Sequence, residues 1–412
     1  MRKTIIIVIL LMCGTMVFGQ AQIDNNVEEY REKGPQTVES TATNPKNPTW
    51  YMVQMEAWQK RIEENPKDEW AWRNLYQATR YYYNMVSVAP DVNREEFIRK
   101  VLEEMKQAIP ESFTYYLCSL YLNDEQELEN LKHAITLMPE DVCGSDVLTL
   151  AARAWLYTYE IGETTQQELF QKSFQKQGIP ERIIRYSLNM LQSMEPNAVY
   201  FGNGDNALLP MKMLQDVYQI RQDVTILPLS FFFLKEHRDY SWKTLNIKHF
   251  AGKEDFSDYS QYGQEWSKHF TADIIQHVIK ETGRPCYLFP DIINATTLDQ
   301  TKIYNEGLLL KWSEKPYDNF AVAMKNVTEV YHLEYLTEPE LVYSTSATSA
   351  VLDGNYVLLL SHLVGKLYDA GHIKESEKLA NTLSQCIKSV RMDAKGRENL
   401  EKALAPYLKD KK

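Results

Sequence analysis

The sequence predicts an α+β protein in three parts: an N-terminal helical array, a small α/β domain with a mainly parallel sheet, and a C-terminal helical hairpin. Three observations predict it. Helical periodicity runs from Trp50 to about Glu195, punctuated by Pro66, Pro110, Pro139 and Pro180. The stretch "NAVYFGNGDNALLPMKMLQDVYQIRQDVTILPLSF" (197–231) passes from an apolar run through a glycine turn and a helical pattern to a second apolar run. Near the end, "NYVLLLSHLVGKLYDAGHIKESEKLANTL" (355–383) has the pattern of a helical hairpin.

The chain opens with Met1-Arg2-Lys3, followed by an almost wholly apolar run from Thr4 to Phe18. Val17 and Gly19 suit the small-residue positions before a signal peptidase cut, so residues 1–19 read as a signal peptide and the mature chain begins near Gln20. Acylation of Cys13 is the rival reading. Met12 stands where a lipoprotein signal wants a small residue, which argues against it. No later run approaches the ~20 apolar residues of a membrane-spanning helix. Residues 20–48 are rich in Gly, Pro, Asn, Thr and Ser and read as a flexible linker.

The whole chain carries a formal net charge of −11 at pH 7. That balance excludes nucleic acid and anionic membrane surfaces as partners, because phosphates need a basic patch. Signal cleavage would leave Cys118, Cys143, Cys286 and Cys386, with no CxxC pair. No zinc site is expected from such spacing, and buried thiols are favoured over a single disulfide.

Residues 49–180 form the array. "NPKDEWAWRNLYQAT" (65–79) places Trp72, Leu75 and Ala78 at the spacing of the first helix of a helical-hairpin repeat, and "REEFIRKVLEEMKQAIP" (94–110) supplies a second helix with its closing proline. "ELENLKHAITLMP" (127–139) ends a second copy, and a looser third runs from Pro139 to Pro180. These segments resemble tetratricopeptide repeats. The prolines lie 44, 29 and 41 residues apart, against a family period of about 34, and Tyr76 replaces the small residue that lets two helices approach. Stacked hairpins share a core and leave a curved surface for a protein partner. Trp58, Trp70 and Tyr81-Tyr82-Tyr83 read mainly as packing, with a glycan- or peptide-binding groove as the alternative.

Residues 181–345 read as the α/β domain and 346–412 as the C-terminal helices. Strands are expected at Ala198–Phe201, Val224–Phe233, 285–290 and 306–312, with helices over Leu208–Ile220 and "FTADIIQHVIKETG". "VTEVYHLEYL" (327–336) alternates enough for a further strand, and the aromatic, charged loop Ser241–Trp266 is placed over one edge. The first strand, helix and second strand make a βαβ unit with parallel strands.

The turn Gly202-Asn203-Gly204-Asp205-Asn206 is the candidate site. Turn chemistry alone accounts for it: Asp205 or Asn206 caps the helix, Asn203 bonds its own backbone, and Gly202 and Gly204 supply close approach or positive φ. The alternative is a ligand-binding role for Asn203, Asp205 and Asn206 toward an anion or sugar. No HExxH or G-x-S-x-G pattern occurs, and the dinucleotide fingerprint lacks its third glycine. No catalytic residue, metal ligand or cofactor is read from the sequence.

The phrases "NMLQSMEPNAVYF", "NGDN", "IRQDVTILPLS", "RPCYLF" and "EGLLLKW", with Pro210 and Gln215, resemble the soluble region of bacterial, multi-spanning, protein O-mannosyltransferase-like membrane proteins. Residues 355–383 look like that family's C-terminal hairpin. The resemblance implies no activity here, because glycosyl transfer in that family is attributed to a membrane-embedded portion. The family turn continues Asp-Thr-Phe-Pro, whereas this chain reads Ala207-Leu208-Leu209-Pro210. One carboxylate, Asp205, then remains, too few oxygens for a tight calcium or magnesium site. The expected function is a non-catalytic, exported scaffold that binds envelope protein partners of a Gram-negative bacterium. The alternative is a glycan-binding or glycan-active protein linked to protein glycosylation.

Overall fold

The computed structural model describes residues 26–41, 45–86, 93–122, 125–250, 256–338, 347–390 and 392–408. The signal peptide, its cleavage site, Cys13 and the 345/346 boundary lie outside them. The chain divides into two compact units, one ending at Gly178 and the other starting at Ile179. No helix among the described residues is long and apolar enough to cross a membrane.

The first unit is all-helical: α1 (Val27–Glu32), α2 (Pro48–Glu64), α3 (Glu69–Met85), α4 (Arg94–Ala108), α5 (Phe113–Ser119), α6 (Glu127–Leu137), α7 (Gly144–Leu156), α8 (Thr158–Ile161) and α9 (Glu163–Gln175). Side-chain caps start several of them. Asn47 accepts from Trp50 N at 2.8 Å, Asp68 from Ala71 N at 2.9 Å and Ser112 from Tyr115 N at 3.1 Å. The array pairs α2 with α3, α5 with α6 and α7 with α9. The partner of α3 is thus chiefly α2, a helix outside the repeat reading. The geometry is a helical array and does not show tetratricopeptide repeats.

Tyr51, Trp58, Trp72, Tyr76 and Met105 form its core. Over its described residues, the flexible-linker reading of 20–48 needs correction. Val38 is buried in this core, its N–H donates to Asn74 Oδ1 at 2.7 Å, and Trp58 Nε1 donates to Gln36 O at 3.0 Å. A polar segment with few apolar residues is held here by backbone groups satisfied from α2 and α3.

The second unit contains α10 (Glu181–Ser193), β1 (Val199–Gly202), α11 (Asp205–Tyr218), β2 (Thr225–Pro228), α12 (Lys235–Leu245), α13 (Trp266–Thr282), β3 (Cys286–Leu288), β4 (Ile303–Asn305), β5 (Leu310–Trp312), α14 (Asn319–Lys325), α15 (Ala347–Asp369), α16 (Ile373–Ser389) and α17 (Ala394–Leu404). The sheet order is β2-β1-β3-β5-β4. β1 pairs in parallel with β2 and β3, while β5 pairs antiparallel with β3 and β4. The expected mainly parallel sheet is therefore a mixed one. A parallel partner needs a long crossover, but β4 and β5 are joined by a short turn in which Glu306 N donates to Leu309 O at 3.0 Å.

Val199 and Phe201 pack into a core with Trp242, Phe270, Ile274 and Val278 of α12 and α13. Alternation along the strand turns Tyr200 and Gly202 toward the other face, where Leu208 of α11 lies. The expected second strand stops at Pro228, which has no N–H for a ladder, and Leu229–Phe233 continue as a 3₁₀ helix. The strand expected at 327–336 is a π-helical turn, Asn326–Val330, followed by a 3₁₀ turn, Glu334–Leu336. Its alternation mimicked a strand because Val327, Tyr331, Leu333 and Tyr335 are all buried. Within 241–266, α12 ends and Phe256–Glu265 form 3₁₀ turns, with Phe250 and Phe256 packed on the core.

The helices α10 and α15 close the unit. Arg182 Nε donates to Asp353 Oδ2 at 2.6 Å, with both side chains buried, and Asn189 Nδ2 donates to Tyr356 OH at 2.7 Å. Burial pushes the Asp353 carboxyl up to about 6, against the pull of the Arg182 charge.

Candidate functional site at the carboxyl edge of the sheet

After β1 the chain crosses to β2 on one side, then returns past β1 to β3 on the other. In open α/β sheets, ligands bind outside the carboxyl ends of strands where the order reverses in this way. The Gly202–Asn206 turn stands there. Gly202 ends β1, Gly204 is the N-cap of α11, and Asp205 and Asn206 are its first two residues.

Both glycines are required by geometry. A Cβ on Gly202 would lie 2.5 Å from Leu208 Cδ2 and 3.0 Å from Tyr200 Cε1. Gly204 has φ 78° and ψ 148°, a region almost confined to glycine. Capping was expected from Asp205 or Asn206; the cap position itself belongs to Gly204, which has no side chain to close the turn. Asp205 instead sits exposed in the first turn, where its charge favours the positive helix end. Asn203 does not bond its own backbone through its amide oxygen. It is only 6% exposed, and Oδ1 has no hydrogen-bond partner.

Neighbours that the sequence did not single out complete this edge. Phe289 N donates to Phe201 O at 3.0 Å, so the 3₁₀ turn Pro290–Ala295 leaves the sheet beside the end of β1. Asp291 in that turn is open to solvent, yet desolvation by the surrounding protein pushes its carboxyl up to about 7, partly offset by backbone N–H donors. Complete burial, and next the charge of Asp291, raise Tyr200 well above its ordinary value, and the Tyr200 hydroxyl lacks a partner. Thr296, just beyond the turn, also has an unpartnered buried hydroxyl. The signal in the sequence was an acid one proline past the end of a parallel strand.

The opposite edge is structural. Arg221 donates to Leu191 O and Met194 O, both at 2.8 Å, and to Glu195 O at 2.9 Å, closing the carbonyl end of α10. It also pairs with Asp223, whose carboxyl is held at about 2 by the Arg221 hydrogen bond and by Asn197 N–H. Arg284 donates to Asn197 O, Ala198 O and Thr225 Oγ1. Gln215 Nε2 reaches Arg221 O and Val224 O. Glu306, which is buried, accepts from Tyr287 and Tyr317 hydroxyls.

These residues belong to the phrases that carry the resemblance, and the comparisons bear on the same segment. Residues 184–250 match the family described as TMEM260-associated domain 2. TMEM260 is a protein O-mannosyltransferase-like protein. The matched segment runs from α10 through β1, the glycine turn, α11 and β2 into α12. No curated protein and no solved structure matches the chain.

The remaining chemistry-bearing side chains are dispersed. His269 stacks on Tyr262 with ring centres 3.7 Å apart, and His277 bonds Lys248 O. Among the described residues, no group of three or more His, Cys, Asp or Glu side chains could hold a metal ion.

Proposed function

We propose that the protein is an exported, non-catalytic scaffold of the Gram-negative cell envelope that binds protein partners through its helical unit. One observation carries this reading. Tyr83 of α3 and Phe97 of α4 stack with ring centres 4.3 Å apart and an interplanar angle of 12°, and Phe97 is 40% exposed. Tyr82 adds an edge contact to Tyr83. Rigid aromatics presented to solvent on a helical array are typical anchors of protein interfaces, where few side chains carry most of the affinity. Elsewhere in the unit, Trp58, Trp72 and Tyr76 are consumed by the core.

The test is recovery of the tagged full-length protein from its native envelope, as wild type and as the Tyr83→Ala, Phe97→Ala double variant. The expected result is a defined set of co-purifying chains that the double variant loses while its melting temperature holds. An unchanged set would remove the partner role from this surface.

A further inference from the structure

Three arginines of the helical unit are buried or half-buried among its described residues: Arg73, Arg80 and Arg153. A guanidinium set into protein needs a carboxylate to offset the water it loses. Arg73 has Asp146, and Arg153 has Glu127. Arg80 has no carboxylate partner among the described residues. Its Nη1 donates to the neutral amide of Gln77 at 3.0 Å, and the guanidinium lies 3.9 Å from the centre of the Tyr121 ring and 5.1 Å from that of Tyr81. Aromatic faces attract a cation without neutralising it. Asp146, whose charge reaches Tyr121, gives both of its oxygens to Arg73. None of the Arg80 nitrogens is sealed off without a partner, so those that the protein leaves unfilled face water.

Arg80 stands three residues before Tyr83 on α3, a spacing that makes side chains neighbours on a helix. Tyr83 in turn carries the stack with Phe97. We propose that Arg80 is the docking point for an aspartate or glutamate side chain of a protein partner, carried beside the residue that packs on that stack. The inference rests on the partner role given to the stack and names the chemistry it selects. With Nη1 given to Gln77, the Nε–Nη2 edge of the guanidinium remains for two parallel hydrogen bonds to a carboxylate. The Tyr121 ring restricts the side chain before the partner arrives, so less freedom is lost on binding. The net charge of −11 repels acids at long range, so the attraction is local and contact decides it.

The probe is a labelled pool of synthetic peptides built from Asp, Glu, Leu, Phe and Ser, beside a matched pool in which Asn and Gln replace the acids. Binding to the full chain is read by fluorescence anisotropy. The acidic pool should bind and the amide pool should not. Arg80→Met should weaken acidic-pool binding about ten-fold or more, the scale of a charge-assisted hydrogen-bonded pair. Its melting temperature should stay close to that of the wild type, because no buried acid is left stranded. In the wild-type protein, the Arg80 Nε–H NMR signal, assigned by its absence in Arg80→Lys, should shift as the acidic pool is added. That reading does not depend on how a variant folds. The proposal is overturned if neither pool binds, if both bind alike, if Arg80→Met binds as the wild type does, or if the Arg80 signal stays in place. Acid binding that needs Arg80 but survives the Tyr83→Ala, Phe97→Ala double change would keep the carboxylate site and remove the aromatic surface. Envelope chains lost by that double variant, while Arg80→Met keeps the acid preference, would do the opposite.

Discussion

Arg73 and Asp146 form a buried, two-pronged ion pair across the helical unit: Nε donates to Oδ2 at 2.8 Å and Nη2 to Oδ1 at 2.9 Å. Arg73 Nη1 also donates to Val38 O at 3.1 Å, so one guanidinium joins α3, α7 and the segment before α2. Removing either partner strands a charge in a medium that solvates it poorly. Asp146→Leu or Arg73→Met should each cost about 3–5 kcal/mol, read by urea denaturation. The double replacement should recover most of that loss. Single variants within 1 kcal/mol of wild type, on the scale of an exposed pair, would mean that the pair is not buried in solution.

The glycine turn gives a graded series. Gly204→Ala must adopt a backbone conformation nearly closed to alanine, and should cost about 1–3 kcal/mol. Gly202→Ala forces Leu208 and Tyr200 aside and should cost a comparable amount. Asp205→Asn keeps the shape and removes the charge at the helix end, whose share of the cost should stay at about 0.3–1 kcal/mol and vanish in high salt. Thermal melts at two salt concentrations rank the three. A reversed order would refute this account of the turn.

Asp291 makes the stability depend on pH in a direction opposite to that of most carboxylates. Its folded-state value, about 7, lies above the ordinary 3.8. The contribution is therefore complete below about pH 4 and is lost as pH rises through 7. Asp291→Asn removes this slope. Its melting temperature should gain on the wild type between pH 4 and 7 and then keep a constant lead. A difference that does not change with pH would show that Asp291 titrates as in water.

Among the described residues, Cys118, Cys143, Cys286 and Cys386 are thiols outside any disulfide, and all but Cys143 are buried. Burial raises each thiol, Cys286 and Cys386 to about 12, which suppresses the reactive thiolate. Timed alkylation should label Cys143 first and the other three only in denaturant. Rapid labelling of Cys286 in the native protein would contradict the packing around β3.

Export itself is tested at the amino terminus. The mature chain should begin near Gln20, and mass spectrometry of the native protein reads this directly. An acylated Cys13 would replace a free scaffold with a membrane-anchored one.

Helices were legible because their apolar spacing is local; in the fold Asn47, Asp68 and Ser112 cap three of them. β1, β2 and β3 were also visible as short apolar runs. β4 was missed because Ile303–Asn305 are two half-buried residues and an exposed one, with no pattern of their own. Strand direction and the fate of 327–336 depend on contacts formed far away, which periodicity does not encode. At the site, Gly202 and Gly204 were read correctly as close approach and positive φ, since those are backbone properties. The lack of a partner for Asn203 Oδ1 and the crowding that raises the Asp291 carboxyl depend on where separate segments meet. No single stretch of sequence records that.

Arg182 and Asp353 are 171 residues apart in the chain. A ribosome adding about 5–20 residues per second delivers the aspartate roughly 10–30 s after the arginine. Throughout that interval the first helix of the second unit carries a cation whose buried seat does not yet exist. The unit therefore completes its core only as its last helices arrive, and a chain released early would expose the apolar faces of α10 and the sheet together. Translation pauses upstream of residue 353 should then yield protease-sensitive, aggregation-prone chains, whereas pauses beyond α16 should be harmless.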